Sequence, residues 1–308
     1  MRMTATMRTS VTVKLAVKLM AKRTAIAAIA ASLVGAIAPP SRAYEVQIDP
    51  SSPQLGDTIS VLLRPDQATS TQPPTLTVGD RIYPSFAISG DSAGRRFRAL
   101  IPTSPLEKAG QLAIQVNGEE ETRNVAVRLR DRNFRTQSIW LPPGDDDLGT
   151  DFEFDRVDAF KKLVTPERLW SGPLVRPSSG EVTTEYGVQR YYNGKFADDY
   201  YHRGVDYAAA TGSAVVAPAA GYVRLVGREA EGFEVHGNTV GLDHGQGVLS
   251  IMIHLSRIGV KEGEFVKAGQ VIGGVGSTGA STGPHLHWGL YVHGVSVDPV
   301  PWRSAAIP

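Results

Sequence analysis

Between its glycines and prolines this chain runs in short segments whose apolar and polar residues alternate, and it seldom keeps an apolar stripe in helical phase. A period of two suits a strand with one face buried, and segments this short cannot supply long packed helices. The sequence therefore predicts an all-β protein. In residues 44–137 the alternating segments are 44–48 (YEVQI), 57–63 (DTISVLL), 97–101 (FRALI), 111–116 (QLAIQV) and 124–130 (NVAVRLR). Turn residues separate them at 53–56, Pro73-Pro74, Gly79-Asp80, 90–94 and Gly118. This spacing predicts an N-terminal β-sandwich. It carries no ionisable cluster suited to catalysis, so an accessory or spacing role is expected.

Residues 138–180 read as a linker. Pro142-Pro143-Gly144 and three aspartates at 145–147 break the pattern. Thr150-Asp-Phe-Glu153 fits a capping box, and Val157, Phe160 and Val164 follow at helical spacing, so a short helix is expected. Thr165-Pro166 can start another turn, with proline at the first helical position. Arg128, Arg130, Arg132 and Arg135 suit a solvated strand end, or contact with an anionic wall polymer. Residues 181–303 return to short strands, now rich in Gly and His, at 204–208, 213–217, 222–226, 239–243, 249–254, 271–275 and 285–292. A second antiparallel β domain is expected there, with no internal repeat.

Lys+Arg and Asp+Glu number 32 and 31, a balance that argues against a dedicated nucleic-acid binder. Cysteine is absent, which removes disulfides, thiolate ligands, a cysteine nucleophile and a lipid anchor through Cys. At the N-terminus Lys14, Lys18, Lys22 and Arg23 precede an apolar stretch at 24–38, then Pro39-Pro40 and a small-x-small Ser41-Arg42-Ala43. This reads as an export signal ending at residue 43, with Met7 or Met20 as alternative starts and an uncleaved anchor as the rival reading. The apolar stretch is short for a membrane span, and no longer one follows. The mature chain is therefore expected to be soluble and periplasmic or extracytoplasmic, with no stable membrane span after cleavage.

All seven histidines lie in the second β domain. His285-Leu-His287 places two imidazoles on one face of a strand. His202-Arg-Gly-Val-Asp206 directs an imidazole and a carboxylate to one side of an extended chain. Alone, the first suits a half-exposed strand and the second an ordinary loop. Together, two His and one Asp would give a catalytic zinc its three protein ligands and leave one position open.

Context sharpens this. The run 274–288 (GVGSTGASTGPHLHW) leads directly into the His-x-His pair. Upstream stand 237–245 (GNTVGLDHG), His254-Leu-Ser256, Gly263 and 269–273 (GQVIG); Val297-Asp-Pro299 follows. With the 202–206 motif, this set resembles the lysostaphin/LytM-type family of zinc endopeptidases over residues 172–302. The resemblance implies a compact antiparallel sheet crossed by a groove, one Zn2+, and hydrolysis of peptide bonds in bacterial peptidoglycan. It implies zinc ligation by His202, Asp206 and His287, and places His254 and His285 on the family's two catalytic histidines. A zinc-bound water would attack the scissile carbonyl, a neutral histidine taking the water proton and, as imidazolium, steadying the oxyanion or protonating the leaving amine. Which is the base stays open, as does the bond cut, D-Ala–diaminopimelate or a glycine bridge.

Of the other histidines, His244 is expected to be structural, and His236 and His293 to be exposed loop residues. Asn238 is expected to brace a turn. Tyr191, Tyr192, Tyr200 and Tyr201 crowd the approach to His202, where the family often places a residue that binds the scissile carbonyl. One departure from the family pattern is Met252, where tyrosine is usual. It suggests a packing change. The expected domains are a signal peptide at 1–43, an Ig-like accessory sandwich at 44–137, the linker at 138–180 and the zinc endopeptidase at 181–303. A regulatory protein partner is a further expectation; the rival readings are a binding or regulatory module that keeps the fold, lacks metal ligands and recruits other hydrolases, and a zinc peptidase aimed at Gly-rich protein.

Overall fold

The computed structural model describes residues 44–65, 72–88, 96–118, 122–140 and 149–305. The expected export signal, the turn at 90–94 and the break at 142–147 lie outside the described residues.

Seven strands precede the linker: β1 (Tyr44–Asp49), β2 (Thr58–Pro65), β3 (Thr75–Val78), β4 (Arg81–Ala87), β5 (Phe97–Pro102), β6 (Gly110–Asn117) and β7 (Thr122–Leu129). Their order is β1-β2-β5-β4-β3-β6-β7, antiparallel throughout. β4 is the joint, because its first half pairs with β3 and its last residues with β5. The sheet can therefore turn over on itself. Ile59, Val61, Leu76, Ile101, Ile114 and Val116 meet in one core, and a short bridge from Gln54 to Arg130 brings the two ends together. Each such side chain contributes about 1.5–3 kcal/mol by burial. The β3–β4 hairpin turns at Gly79-Asp80, but its strands were not read from the sequence. Ile82 is exposed and Pro84 interrupts the alternation.

The rest of the chain forms β8 (Thr136–Ile139), α1 (Asp151–Lys161), β9 (Glu181–Thr184), β10 (Gln189–Tyr192), β11 (Lys195–Phe196), β12 (Val205–Ala208), β13 (Ala214–Val216), β14 (Gly221–Gly227), β15 (Thr239–Gly245), β16 (Val248–Ile253), β17 (Arg257–Ile258), β18 (Phe265–Val266), β19 (Val271–Gly274), β20 (His285–Val292), β21 (Val295–Val297) and α2 (Pro299–Ser304). The main sheet has the order β18-β14-β15-β16-β20-β12-β9, with β21 beside β20. Two small sheets flank it, β13-β19-β17 and β11-β10-β8.

Side-chain alternation along β20 decides where the chemistry emerges. Leu286, Trp288, Leu290 and Val292 enter the core shared with Tyr207, Val240 and Leu242. His285 and His287 therefore stand on the opposite face. Further along that face, Val157 and Phe160 of α1 pack with Leu249, Ile251, Ile253 and Tyr291. Val164 stays exposed. The second helical turn predicted at Thr165-Pro166 is not formed; the Thr165 hydroxyl instead donates to the Asp243 carboxylate at 3.1 Å.

The N-terminal strands pack directly on this sheet. Leu100 joins the C-terminal core, and the Trp302 indole donates to the Thr58 hydroxyl at 3.2 Å. Arg98, 2% exposed, donates to Gln246 Oε1 at 2.7 Å and lies over the Trp170 ring. From the arginine run, Arg132 turns inward to pair with Asp298 at 2.8 Å. Among the described residues, no helix is long and apolar enough to cross a membrane.

Two histidines outside the candidate site make the fold sensitive to acid. His244 is fully buried, its Nδ1 on the Ala220 carbonyl and its Nε2 on the Ser250 hydroxyl, both at 2.9 Å. His293, expected to be exposed, instead packs against Tyr83 with a buried Nε2 that has no partner. Burial pushes both pKa values down to about 4. Unfolded histidine titrates near 6.5, so below that pH the unfolded chain binds protons the fold refuses. Stability should therefore fall as pH drops from about 6.5 to 4, by on the order of a few kcal/mol. Urea midpoints measured with chelator present, which removes any effect of metal release, would check this. A flat profile across the window refutes it.

Candidate active site

Strand pairing builds the centre. β12 and β20 are antiparallel neighbours in a register that sets Asp206 directly opposite His287. His202 precedes β12 and is fixed by its backbone, donating N–H to Val188 O and accepting from Gly187 N, at 2.8 and 2.9 Å. Gly204 must lack a side chain. A Cβ there would lie 2.3 Å from Trp288 O and 2.8 Å from His287 Cε1. The glycine within the His-Arg-Gly-Val-Asp motif thus lets the chain run close enough for its two ends to share a centre.

Three donor atoms converge. His202 Nε2 lies 3.0 Å from Asp206 Oδ1 and 3.0 Å from His287 Nδ1, and His287 Nδ1 lies 2.8 Å from Asp206 Oδ1. The other nitrogen of His202, Nδ1, faces the Glu185 carbonyl at 2.8 Å and so carries the proton. That leaves a lone pair on His202 Nε2 pointing at a carboxylate oxygen. Burial opposes ionisation of Asp206, yet the contacts with His202 and His287 hold its carboxyl far below the usual range. Burial pushes His287 down to about 4, against the pull of Asp206. Two imidazole lone pairs and a carboxylate facing one another repel unless a proton or a metal cation lies between them. Ligands around a tetrahedral zinc at about 2.1 Å stand roughly 3.4 Å apart, close to the separations here. The donor set therefore fits zinc on chemistry and spacing.

A second pair of imidazoles flanks the first set. The rings of His254 and His285 are 4.8 Å apart. His254 Nδ1 faces Thr278 O and His285 Nδ1 faces Gly283 O, both at 2.8 Å. Each Nδ1 therefore carries the proton, leaving each Nε2 an acceptor; His285 Nε2 lies 4.0 Å from Asp206 Oδ1. Burial, reinforced by the fields of His287 and His285, pushes His254 down to about 3. His254 follows the end of β16 at a φ of 63°, an unusual conformation for a residue with a side chain. Its N–H donates to His236 O at 2.9 Å.

All five residues singled out in the sequence are thus brought together at one end of β12, β16 and β20. Met252 sits opposite Trp288 on the core face, so that departure leaves the face bearing the histidines untouched. Asn238 donates to Leu255 O at 2.9 Å. Tyr186 and Tyr201 both donate to Ser296 O inside the fold, whereas Tyr192 and Tyr200 meet edge to face and accept from Arg190.

The sequence did not reveal the role of Glu153. Its backbone completes the Thr150 cap, with Glu153 N donating to Thr150 Oγ1 at 3.1 Å, but its carboxylate turns away from the helix end. It accepts N–H groups from Glu234, Val235 and His236, and Nδ1–H of His236 at 2.6 Å. His236 is thus tied down, not a free loop residue. A Thr-x-x-Glu pattern signals a cap, and nothing local shows the acid reaching 83 residues along the chain.

A peptidase family M23 model matches residues 200–299, which contain all five residues of the centre. Residues 200–299 are a peptidase family M23 domain. Over 107 residues, the DD-carboxypeptidase/endopeptidase Mpg of Neisseria meningitidis serogroup B is 45% identical, covering 35% of this chain and 23% of that protein. The peptidoglycan DD-endopeptidase ShyC of Vibrio cholerae is 40% identical over 107 residues, with the same coverage of 35% and 23%. The chain thus spans under a quarter of the length of these curated relatives. A crystal structure of a Pseudomonas aeruginosa protein assigned to peptidase M23 superposes with a TM-score of 0.61 at 27% identity. It covers 82% of this chain and 95% of that one, so the likeness extends beyond the M23 domain.

Proposed function

We propose that this protein is a zinc-dependent endopeptidase that hydrolyses peptide cross-links of bacterial peptidoglycan, in the periplasm or otherwise outside the cytoplasm. One observation carries the reading: the donor atoms of His202, Asp206 and His287 converge at 2.8–3.0 Å beside two imidazoles that each keep Nε2 free to accept a proton. The M23 domain and the relatives named for DD-endopeptidase activity support it.

His202, Asp206 and His287 would hold the metal. When bound, zinc supplies a Lewis acid and lowers the pKa of a coordinated water to about 7. The chain's own residues handle the protons. A neutral Nε2 of the His254–His285 pair accepts a proton from the attacking water, and the imidazolium so formed steadies the oxyanion or delivers that proton to the leaving amine. The hydrogen bonds to Thr278 O and Gly283 O fix the tautomer that this exchange requires. We read residues 44–137 as an Ig-like accessory domain that holds the M23 domain against its substrate.

Purified peptidoglycan digested with the full chain should yield new uncross-linked peptides on chromatography and mass spectrometry, lost with chelator and restored by zinc. Intact wall despite one zinc per chain would overturn the reading in favour of a regulatory module. His254→Ala and His285→Ala should each lower kcat by about 10²–10³ while zinc content stays at one per chain. Either variant hydrolysing within tenfold of the wild type would remove that histidine from the mechanism.

A further inference from the structure

Beside His202, β10 presents a cation with no acidic partner. Period two puts Arg190 and Tyr192 on one face of the strand, and Tyr191 on the other, against Phe196 of β11. Two residues before Arg190, Val188 O accepts the N–H of His202, so this strand runs beside the first residue of the centre. Arg190 Nη1 donates to Tyr200 Oη at 2.9 Å and to Tyr192 Oη at 3.3 Å. Its Nε donates to Gln137 Oε1 at 3.3 Å, from β8, which pairs with β10 in parallel. The Arg203 guanidinium also lies over the Tyr200 ring, at 5.5 Å.

Two guanidiniums thus share one tyrosine, and among the described residues neither forms an ion pair. Arg190 Nη2 has no hydrogen bond and is not among the buried unpaired atoms, so it faces solvent. A half-buried arginine normally finds a carboxylate, because its fork of donors matches one. Here three neutral acceptors orient the fork and leave part of it free. Burial opposes the charge of Arg190, yet Tyr200 and Tyr192, and more weakly Asp206, raise its pKa. Because β10 begins one residue after Val188, which holds the His202 N–H, the cation sits at the edge of the candidate active site.

We propose that Arg190, oriented by Tyr192, Tyr200 and Gln137, binds a free carboxylate of the peptide substrate and selects acidic over amidated peptides. This rests on the proposed function and names a feature of its substrate. The carboxylate could be the C-terminal α-carboxylate of a stem peptide or that of a diacid residue at the cross-link. The chemistry is the same, and the test separates the two.

Synthetic cross-linked peptides in three forms serve as probes: all carboxylates free, the C-terminal carboxylate amidated, or the diacid carboxylate amidated. The zinc-loaded full chain should cleave the free form with kcat/KM roughly ten- to a hundredfold above one amidated form, mainly through KM. Whichever amidation causes the loss identifies the carboxylate. In Arg190→Gln that ratio should fall toward one, and Arg190→Lys should keep part of it. Thermal melts and zinc content show whether the variants are folded and loaded. A wild type indifferent to amidation, or an Arg190→Gln that keeps the preference, overturns the proposal while leaving the hydrolase reading intact. If the wild type cleaves no form, the hydrolase reading fails. Calorimetric titration of the same peptides into wild-type and Arg190→Gln protein then decides this inference alone, and equal affinity for acid and amide overturns it.

Discussion

Asp206→Ala is expected to reduce bound zinc from about one per chain to a small fraction, and hydrolysis of peptidoglycan by three orders of magnitude or more. The aspartate is the hub of the centre. Its Oδ1 lies 3.0 Å from His202 Nε2, 2.8 Å from His287 Nδ1 and 4.0 Å from His285 Nε2. It supplies the only charge among three proposed ligands, so two neutral imidazoles remain without it. The same substitution should leave the metal-free fold nearly unharmed. Asp206 is buried, 7% exposed, and in the absence of metal the cost of desolvating its ionised carboxylate offsets its contacts with His202 and His287. Metal-free Asp206→Ala should therefore melt close to metal-free wild type, and only the wild type should gain from added zinc. Asp206→Asn keeps the shape without the charge and should fall between the two. Metal analysis and melts with and without zinc read these outcomes. Full zinc retention, or a loss of activity under tenfold, would show that Asp206 is not a ligand.

The legible parts of this molecule were those governed by local periodicity. Alternation marked β12 to β16, β19 and β20 within a residue or two. A strand with Leu286, Trp288 and Leu290 on one side must carry His285 and His287 on the other. What the sequence could not show was anything decided by long-range pairing. β8 and β10 lie side by side although some 50 residues separate them, and β11, β17 and β18 are two-residue strands with no pattern to read. His293 read as an exposed loop residue, yet Tyr83 of a distant strand packs against it. Arg98 looked like the polar half of an alternating strand; Trp170 and Gln246 bury it. Such residues are placed by the packing of one sheet against another, which no single segment records.

Glu153→Ala should destabilise the fold by about 3–5 kcal/mol and lower kcat roughly tenfold, with zinc content unchanged. The carboxylate is 0% exposed and accepts the backbone N–H groups of Glu234, Val235 and His236 together with Nδ1–H of His236. Removing it strands four donors, each costing about 1–3 kcal/mol if water cannot reach it. The effect on turnover passes through the backbone. His236 O receives the N–H of His254, and His254 holds a positive φ that persists only while its surroundings fix it. A loosened loop at 234–236 frees His254 to leave its position. His202, Asp206 and His287 stand on other segments, so zinc should remain bound. The acid response supplies a second readout. Burial alone would raise the carboxyl pKa, but the His236 side chain and the backbone donors outweigh it and hold it below the usual value. Its stabilisation is therefore present above the unfolded pKa, near 4.5, and is lost as pH falls through the lower folded value. Glu153→Ala should be penalised most near neutrality and converge on the wild type in strong acid, with Glu153→Gln intermediate. A variant that matches wild-type stability at pH 7 and turns over at the wild-type rate would show that α1 does no more than cover the sheet.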